Sequence, residues 1–80
     1  MATRADFQDW VLDAIKAKGG KAALVDVAKH IWAYHESEIS RSGNLLYTWQ
    51  YDMRWAATIL RNRKKLKPAD VSPRGIWELS

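Results

Sequence analysis

The chain has 80 residues, 48% of them hydrophobic and 28% charged, a balance that supports one small globular domain and excludes a disordered chain. It contains no cysteine, which excludes a disulfide framework, a thiolate zinc site and thiol catalysis. The net charge is +4, and residues 41–80 hold eight basic against three acidic side chains, an asymmetry that favours a polyanionic partner.

The first predicted element is an amphipathic helix from about Thr3 to Lys18, with Thr3 as its N-cap. Its apolar residues recur at helical steps of three and four, and they are Phe7, Trp10, Val11, Ala14 and Ile15. Gly19-Gly20 is expected to end this helix, because glycine readily adopts the left-handed conformation of a C-cap. Residues 21–23 are too few for an independent strand, and we expect them to pair at the edge of a small sheet.

A second helix is predicted from Leu24 to about Tyr34, where apolar residues again form one stripe. The polar run from Glu36 to Asn44 has the composition of a loop, with one turn of helix around Ile39 as an alternative.

The third helix is predicted from Leu45 to about Lys65 and is the longest periodic stretch, with Asn44 as its N-cap. Its expected core side consists of Leu46, Trp49, Met53, Ala56, Ala57 and Leu60. The opposite side carries a stripe of five side chains that can all donate hydrogen bonds, Tyr47, Tyr51, Arg54, Thr58 and Arg61. We call this set the helix-three stripe.

The C-terminal region has the pattern of a β-hairpin. Short apolar runs at Leu66-Lys67 and at residues 75–79 flank a segment with two prolines, an aspartate and a serine. With residues 22–23 as a third strand, the order is helix, strand, helix, helix, strand, strand. The predicted fold is therefore α+β, a winged helix-turn-helix with three helices and a small antiparallel C-terminal wing hairpin.

Short motifs in the second half resemble a known family. Trp55-Ala56 is followed by Leu60, then a basic stretch, then the run Arg74-Gly75-Ile76-Trp77-Glu78-Leu79-Ser80. This pattern resembles the winged-helix domain at the N-terminus of Mrr-type restriction endonucleases, and Gly19-Gly20 and Ser42-Gly43 also match. The resemblance extends from Phe7 to Ser80. It implies a DNA-recognition or DNA-positioning module of a restriction-modification system, with Trp55, Ala56, Leu60, Trp77 and Leu79 as fold residues.

The resemblance does not imply cleavage here. In the family the winged helix precedes a separate nuclease domain, which has no counterpart in the 80 residues.

Two basic groups are candidate contacts for the DNA backbone. The first places five positive charges within seven residues, Arg61, Arg63, Lys64, Lys65 and Lys67. The alternative is that these charges only complement the dipole at the end of the third helix. The second is Arg74, expected at the return of the wing, where it either enters the minor groove, meets the backbone or simply solvates the turn.

The helix-three stripe is the candidate base reader, because an α-helix fits the major groove. Arg54 lies in the middle of the stripe and is able to pair with guanine, and the adjacent Gln50 is able to pair with adenine. Two alternatives remain open: a solvated helix face, and a protein interface formed by the large rings of Tyr47 and Tyr51.

Catalytic and metal sites are weakly supported. His30 and His35 lie about 140° apart on a helix and do not share a face for one metal ion. Asp6, Asp9 and Asp13 share a face, but such a cluster is more typical of a solvated first helix than of a Mg²⁺ or acid–base site. No phosphate-binding loop, nucleophile elbow or nuclease-like carboxylate-plus-lysine set is present. We therefore expect no enzyme activity, no metal and no cofactor.

The function predicted from the sequence is binding of double-stranded DNA, with the third helix in the major groove and the wing on the backbone. The alternative is a winged-helix protein–protein interaction module, and a homodimer or a partner protein remains open with it. No apolar run reaches the ~18 residues of a membrane span, and no signal-peptide core is visible. We expect a soluble, cytoplasmic domain without a membrane partner.

Overall fold

Three helices and a two-stranded antiparallel sheet form the α+β fold of the computed structural model, which describes residues 2–80. In chain order the elements are α1 (Asp6–Ala17), β1 (Lys21–Ala23), α2 (Leu24–Ser40), α3 (Leu45–Asn62) and β2 (Ile76–Glu78). The predicted class and the three helices are confirmed, whereas the number of strands and the bounds of all three helices differ from the prediction; α3 ends at Asn62 and not near Lys65.

α1 begins at Asp6, later than predicted, and Thr3 does not cap it with its side chain. Instead the backbone N–H of Thr3 donates to Oδ2 of Asp6 at 2.8 Å. The end of α1 is as predicted: Gly19 and Gly20 have φ values of +85° and +100°, and the N–H of Gly20 donates to the carbonyl of Ile15 at 2.9 Å. This hydrogen bond satisfies a carbonyl group that the last helical turn leaves without a partner.

The predicted loop from Glu36 to Asn44 is wrong over residues 36–40, because α2 continues to Ser40, in line with the alternative of a helical turn around Ile39. Two tertiary contacts explain the longer helix. Ile39 is completely buried, and the ring of His35 stacks on that of Trp10 in α1, with centroids 3.8 Å apart and an interplanar angle of 7°. Burial and stacking outweigh the weak helix propensity of the serines in this stretch. Only the four residues 41–44 then connect α2 to α3.

Asn44 occupies the N-cap position of α3 as predicted, but its side chain makes no capping hydrogen bond.

The sheet pairs β1 with β2 in antiparallel register, with Ala22 opposite Trp77. The expectation that residues 21–23 add an edge strand is thus confirmed. The predicted strand at Leu66-Lys67 is wrong, because it is reduced to one bridge between Leu66 and Leu79. Pro68 follows at once and has no N–H to continue a ladder, while its carbonyl accepts the N–H of Val71 at 3.0 Å and turns the chain.

The core is built from all three helices and from β2. Fully buried side chains include Phe7, Ile15, Ile31 and Leu60, and Trp77 closes the core from the sheet with 7% of its surface exposed. The positions that the family resemblance implied as fold residues all lie in or against this core: Trp55, Ala56, Leu60, Trp77 and Leu79. No helix within residues 2–80 is long and apolar enough to cross a membrane.

Candidate nucleic-acid interface

The outer side of α3 carries most of the helix-three stripe at the surface. Tyr47 is 82% exposed and Tyr51 is 80% exposed, and Arg54 and Thr58 are also exposed. The hydroxyl of Thr58 donates to the carbonyl of Arg54 at 3.3 Å, so it is left to act mainly as an acceptor. The four side chains follow one side of a single rigid helix.

Arg61 differs from the rest of the stripe because it is half-buried. Its Nε atom is buried and has no hydrogen-bond partner among the described residues 2–80. Arg61 therefore presents less of its guanidinium group to an external partner than Arg54 does.

The C-terminal end of α3 turns through an unusual backbone conformation at Lys64, which has a φ of +62° and is the only non-glycine residue of the described chain with a positive φ. The N–H of Lys65 donates to the carbonyl of Leu60 at 2.8 Å, and the N–H of Lys64 donates to that of Arg61 at 3.0 Å. This pair of bonds is the Schellman motif, in which glycine usually holds the left-handed position. The motif leaves Arg63, Lys64 and Lys65 exposed at the helix end.

Ser80 fastens this turn to the end of the chain. Its hydroxyl donates to the carbonyl of Lys64, and its backbone N–H donates to the carbonyl of Lys65 at 3.2 Å. The three exposed charges therefore sit on a turn that is held at fixed points, not on a free segment.

Most cations of the predicted interface have no carboxylate partner within the chain. Lys67 is the exception, since its Nζ lies 3.4 Å from Oε2 of Glu78. The other cations of the predicted interface make no salt bridge with any carboxylate of residues 2–80. They are Arg54, Arg61, Arg63, Lys64, Lys65 and Arg74. Their charge remains available to an external anion, whereas that of Lys67 is already compensated.

Arg74 occupies the corner of a tight turn before β2. The N–H of Ile76 donates to the carbonyl of Pro73 at 3.0 Å, and Gly75 has a φ of +78° at the third turn position. The carbonyl of Gly75 accepts the N–H of Leu24 at 2.9 Å, which ties the turn to the start of α2. The exposed Arg74 thus lies at a defined place beside α2.

Arg74 and the basic turn after α3 lie at opposite ends of β2. Arg74 lies two positions before the start of β2, and Ser80 lies two positions after its end. Ser80 is hydrogen-bonded to Lys64. The three residues of β2 between these ends span roughly 10 Å at about 3.3 Å per residue.

A shallow surface hollow of about 380 Å³ gathers four of the predicted site residues on the first half of α3. Its lining is Leu46, Tyr47, Trp49, Gln50, Tyr51 and Arg54, and we call it the tyrosine hollow. None of these side chains is acidic.

A second groove of about 370 Å³ runs between α2 and α3 on the other side of Gln50 and Arg54. Its lining is Leu24, Val25, Ala28, Lys29, Trp32, Trp49, Gln50, Met53 and Arg54, and we call it the tryptophan groove. The rings of Trp32 and Trp49 stack within it, with centroids 5.5 Å apart at an interplanar angle of 19°.

Sequence reasoning missed the tryptophan groove because it assigned Trp49 to the core side of its helix. The available signal was the surplus of apolar residues near the start of α2, where Val25 is 61% exposed.

The two histidines of α2 lie against aromatic rings. His35 is stacked on Trp10, while His30 lies against Tyr34 with ring centroids 4.5 Å apart. Within the part of the chain that the structure describes, no three His, Asp or Glu residues are placed to hold a metal ion.

Neither protein-family models, curated proteins nor solved structures give a match to the chain. Its function must therefore be argued from the surface just described.

Proposed function

We propose that this chain is a DNA-binding module without catalysis of its own, with α3 in the major groove of a duplex. The observation that carries the proposal is the exposed outer side of α3, where Arg54 lies among hydrogen-bonding side chains with no carboxylate partner within residues 2–80. A helix with its side chains is about 10–12 Å across and the major groove is about 12 Å wide, so the two fit.

A winged-helix arrangement is part of the proposal. The four-residue connection between α2 and α3 contains Gly43 at a φ of +63°, and short connections with glycine are typical of helix-turn-helix units. The bridge between Leu66 and Leu79 closes the segment that contains Arg74. In the proposed arrangement this segment is the wing, and it contacts the DNA backbone. The resemblance to the N-terminal domain of Mrr-type restriction endonucleases supports the same arrangement, and with it a cytoplasmic restriction-modification role.

The proposed contacts divide between bases and phosphates. Arg54 and Gln50 are separated by one helical turn and take the base edges, guanine for the arginine and adenine for the glutamine. The exposed turn after α3 takes phosphates through Arg63, Lys64 and Lys65.

Titration of a labelled duplex at several salt concentrations tests the proposal. Each phosphate neutralised steepens the fall of log K with log salt by about 0.9. Arg54→Ala should change the preference among duplex sequences, whereas Arg41→Ala should not, since Arg41 is an exposed arginine on the connection between α2 and α3 and not on the stripe. Binding no stronger than that of an uncharged control protein would refute the proposal.

A second candidate is a protein–protein interaction module. It is favoured by three large apolar or aromatic side chains that are more than half exposed: Tyr47 and Tyr51 line the tyrosine hollow, and Val25 lines the adjoining tryptophan groove. Light scattering over a concentration series separates the candidates, because self-association through this surface raises the measured mass. A strictly monomeric chain that binds DNA supports the first candidate.

A further inference from the structure

The tyrosine hollow offers ring faces that nothing in the described chain covers. Tyr47 and Tyr51 are 82% and 80% exposed, and neither ring is paired with another aromatic ring of residues 2–80. Trp49 completes the aromatic lining, and Gln50 and Arg54 supply the polar atoms.

An intact duplex is a poor partner for such ring faces. Its grooves present the edges of the bases, and the faces of the bases are stacked inside the helix. An unpaired nucleotide exposes its face, and stacking of a base on an aromatic side chain contributes about 1–3 kcal/mol. Exposed aromatic rings beside cations are the usual composition of sites for unpaired bases.

We infer that the tyrosine hollow binds an unpaired DNA base, which stacks on Tyr51 while Gln50 and Arg54 contact its edge. The inference rests on the proposed DNA-binding function and adds a preference for DNA that contains unpaired bases.

The charges around the hollow support a nucleotide as its occupant. No carboxylate lines the hollow or the adjoining tryptophan groove, and Lys29 and Arg54 stand on the two helices that form the groove. Arg54 belongs both to the hollow and to the helix-three stripe, so the hollow is continuous with the proposed base-reading surface.

An acidic peptide fits these features less well. Peptide anchors bury apolar side chains in enclosed pockets. The tyrosine hollow is instead flanked by two rings that each keep four-fifths of their surface in solvent, which makes it an open platform.

The test compares two duplexes of the same length that share one labelled strand. One duplex is fully paired, and in the other a central thymine tract of the labelled strand is left unpaired. The tract should bind at least about fivefold more tightly, the ratio that corresponds to stacking of one base. Tyr51→Ala should remove this advantage, so that its affinities for the two duplexes become equal, while Tyr51→Phe should keep the advantage because the ring remains.

Tyr34→Ala is the matched control. Tyr34 is 72% exposed on α2 and lines neither the tyrosine hollow nor the tryptophan groove, so its loss should change neither affinity. Both tyrosines are on the surface, and thermal unfolding of each variant confirms that the fold persists.

The outcomes separate the inference from the function on which it rests. Equal affinity for the two duplexes, or an equal loss in Tyr51→Ala and Tyr34→Ala, overturns the inference and leaves DNA binding in place. Binding of neither duplex overturns both, and saturable binding of an acidic peptide under the same conditions would then assign the hollow to a protein partner.

Discussion

Nε of Arg4 lies 3.3 Å from Oδ1 of Asp52, and the same guanidinium group lies 4.1 Å from the ring centroid of Trp55. The other carboxylate oxygen of Asp52 accepts a hydrogen bond from Thr48 at 2.9 Å. Asp52 is only 8% exposed, so these partners satisfy a carboxylate that is largely removed from water. The contacts also tie the segment before α1 to α3.

Arg4→Ala should lower the free energy of unfolding by about 1 kcal/mol. The side chain of Arg4 is 55% exposed, which limits the ion pair to ~0–1 kcal/mol, and the contact with the Trp55 ring adds about 0.5–1 kcal/mol. The control is Arg41→Ala, which removes an exposed arginine with no salt bridge among the described residues. Urea unfolding of the two variants measures the difference between their free energies of unfolding. Equal losses in the two variants would show that Arg4 contributes no specific contact.

Replacement of Lys64 by glycine should stabilise the protein. A left-handed conformation costs an L-residue about 1–2 kcal/mol, and glycine removes this cost. Part of the resulting gain in stability is offset by the greater freedom of glycine in the unfolded chain. We expect Lys64→Gly to raise the free energy of unfolding by about 0.5–1 kcal/mol, measured by urea unfolding.

Lys65→Gly is the control for this prediction, because it removes the same charge at a neighbouring position without a positive φ. It should lower the free energy of unfolding by about 0.4–1 kcal/mol. A change of the same sign in both variants would contradict the role assigned to the backbone of Lys64.

The end of α2 shows which part of the fold local patterns do not encode. Residues 36–44 are mostly polar, and their composition predicts a loop. The helix persists because one apolar residue, Ile39, meets the core and because His35 finds the ring of Trp10. Both contacts join residues far apart in the chain, so they exist only once α1 and α2 have packed. Strong periodicity, as in α1 and α3, predicted helices correctly without such contacts.

The length of α2 is tested by shortening Ile39. Because this side chain is fully buried, Ile39→Ala should lower the free energy of unfolding by about 2–5 kcal/mol and Ile39→Val should lower it by about 0.5–1.5 kcal/mol. Ser37→Ala is an exposed substitution in the same helix and should stay within about 0.5 kcal/mol of the wild type. If thermal unfolding showed Ile39→Ala to be as mild as Ser37→Ala, residues 35–40 would not be packed on the core.

The candidate site was predictable as far as helical periodicity reaches. The spacing of Tyr47, Tyr51 and Arg54 placed them on one side of a helix, and the structure puts that side in solvent. Local spacing does not reveal contacts between elements. The pairing of Lys67 with Glu78 depends on the return of the chain at Leu66 and Leu79, and the tryptophan groove depends on how α2 lies against α3.

The difference between Lys67 and Arg63 leads to a prediction about salt dependence. Both are basic residues of the predicted phosphate-binding group, but Lys67 is paired with Glu78 and Arg63 has no carboxylate partner in the described chain. Arg63→Ala should therefore reduce the slope of log K against log salt by about 0.9, the value for one phosphate contact, and Lys67→Ala should reduce it by less. The two variants have the same net charge, so each serves as the control for the other. Equal slopes in a duplex titration would mean that binding responds to net charge alone, and that no phosphate contact is specific to the turn after α3.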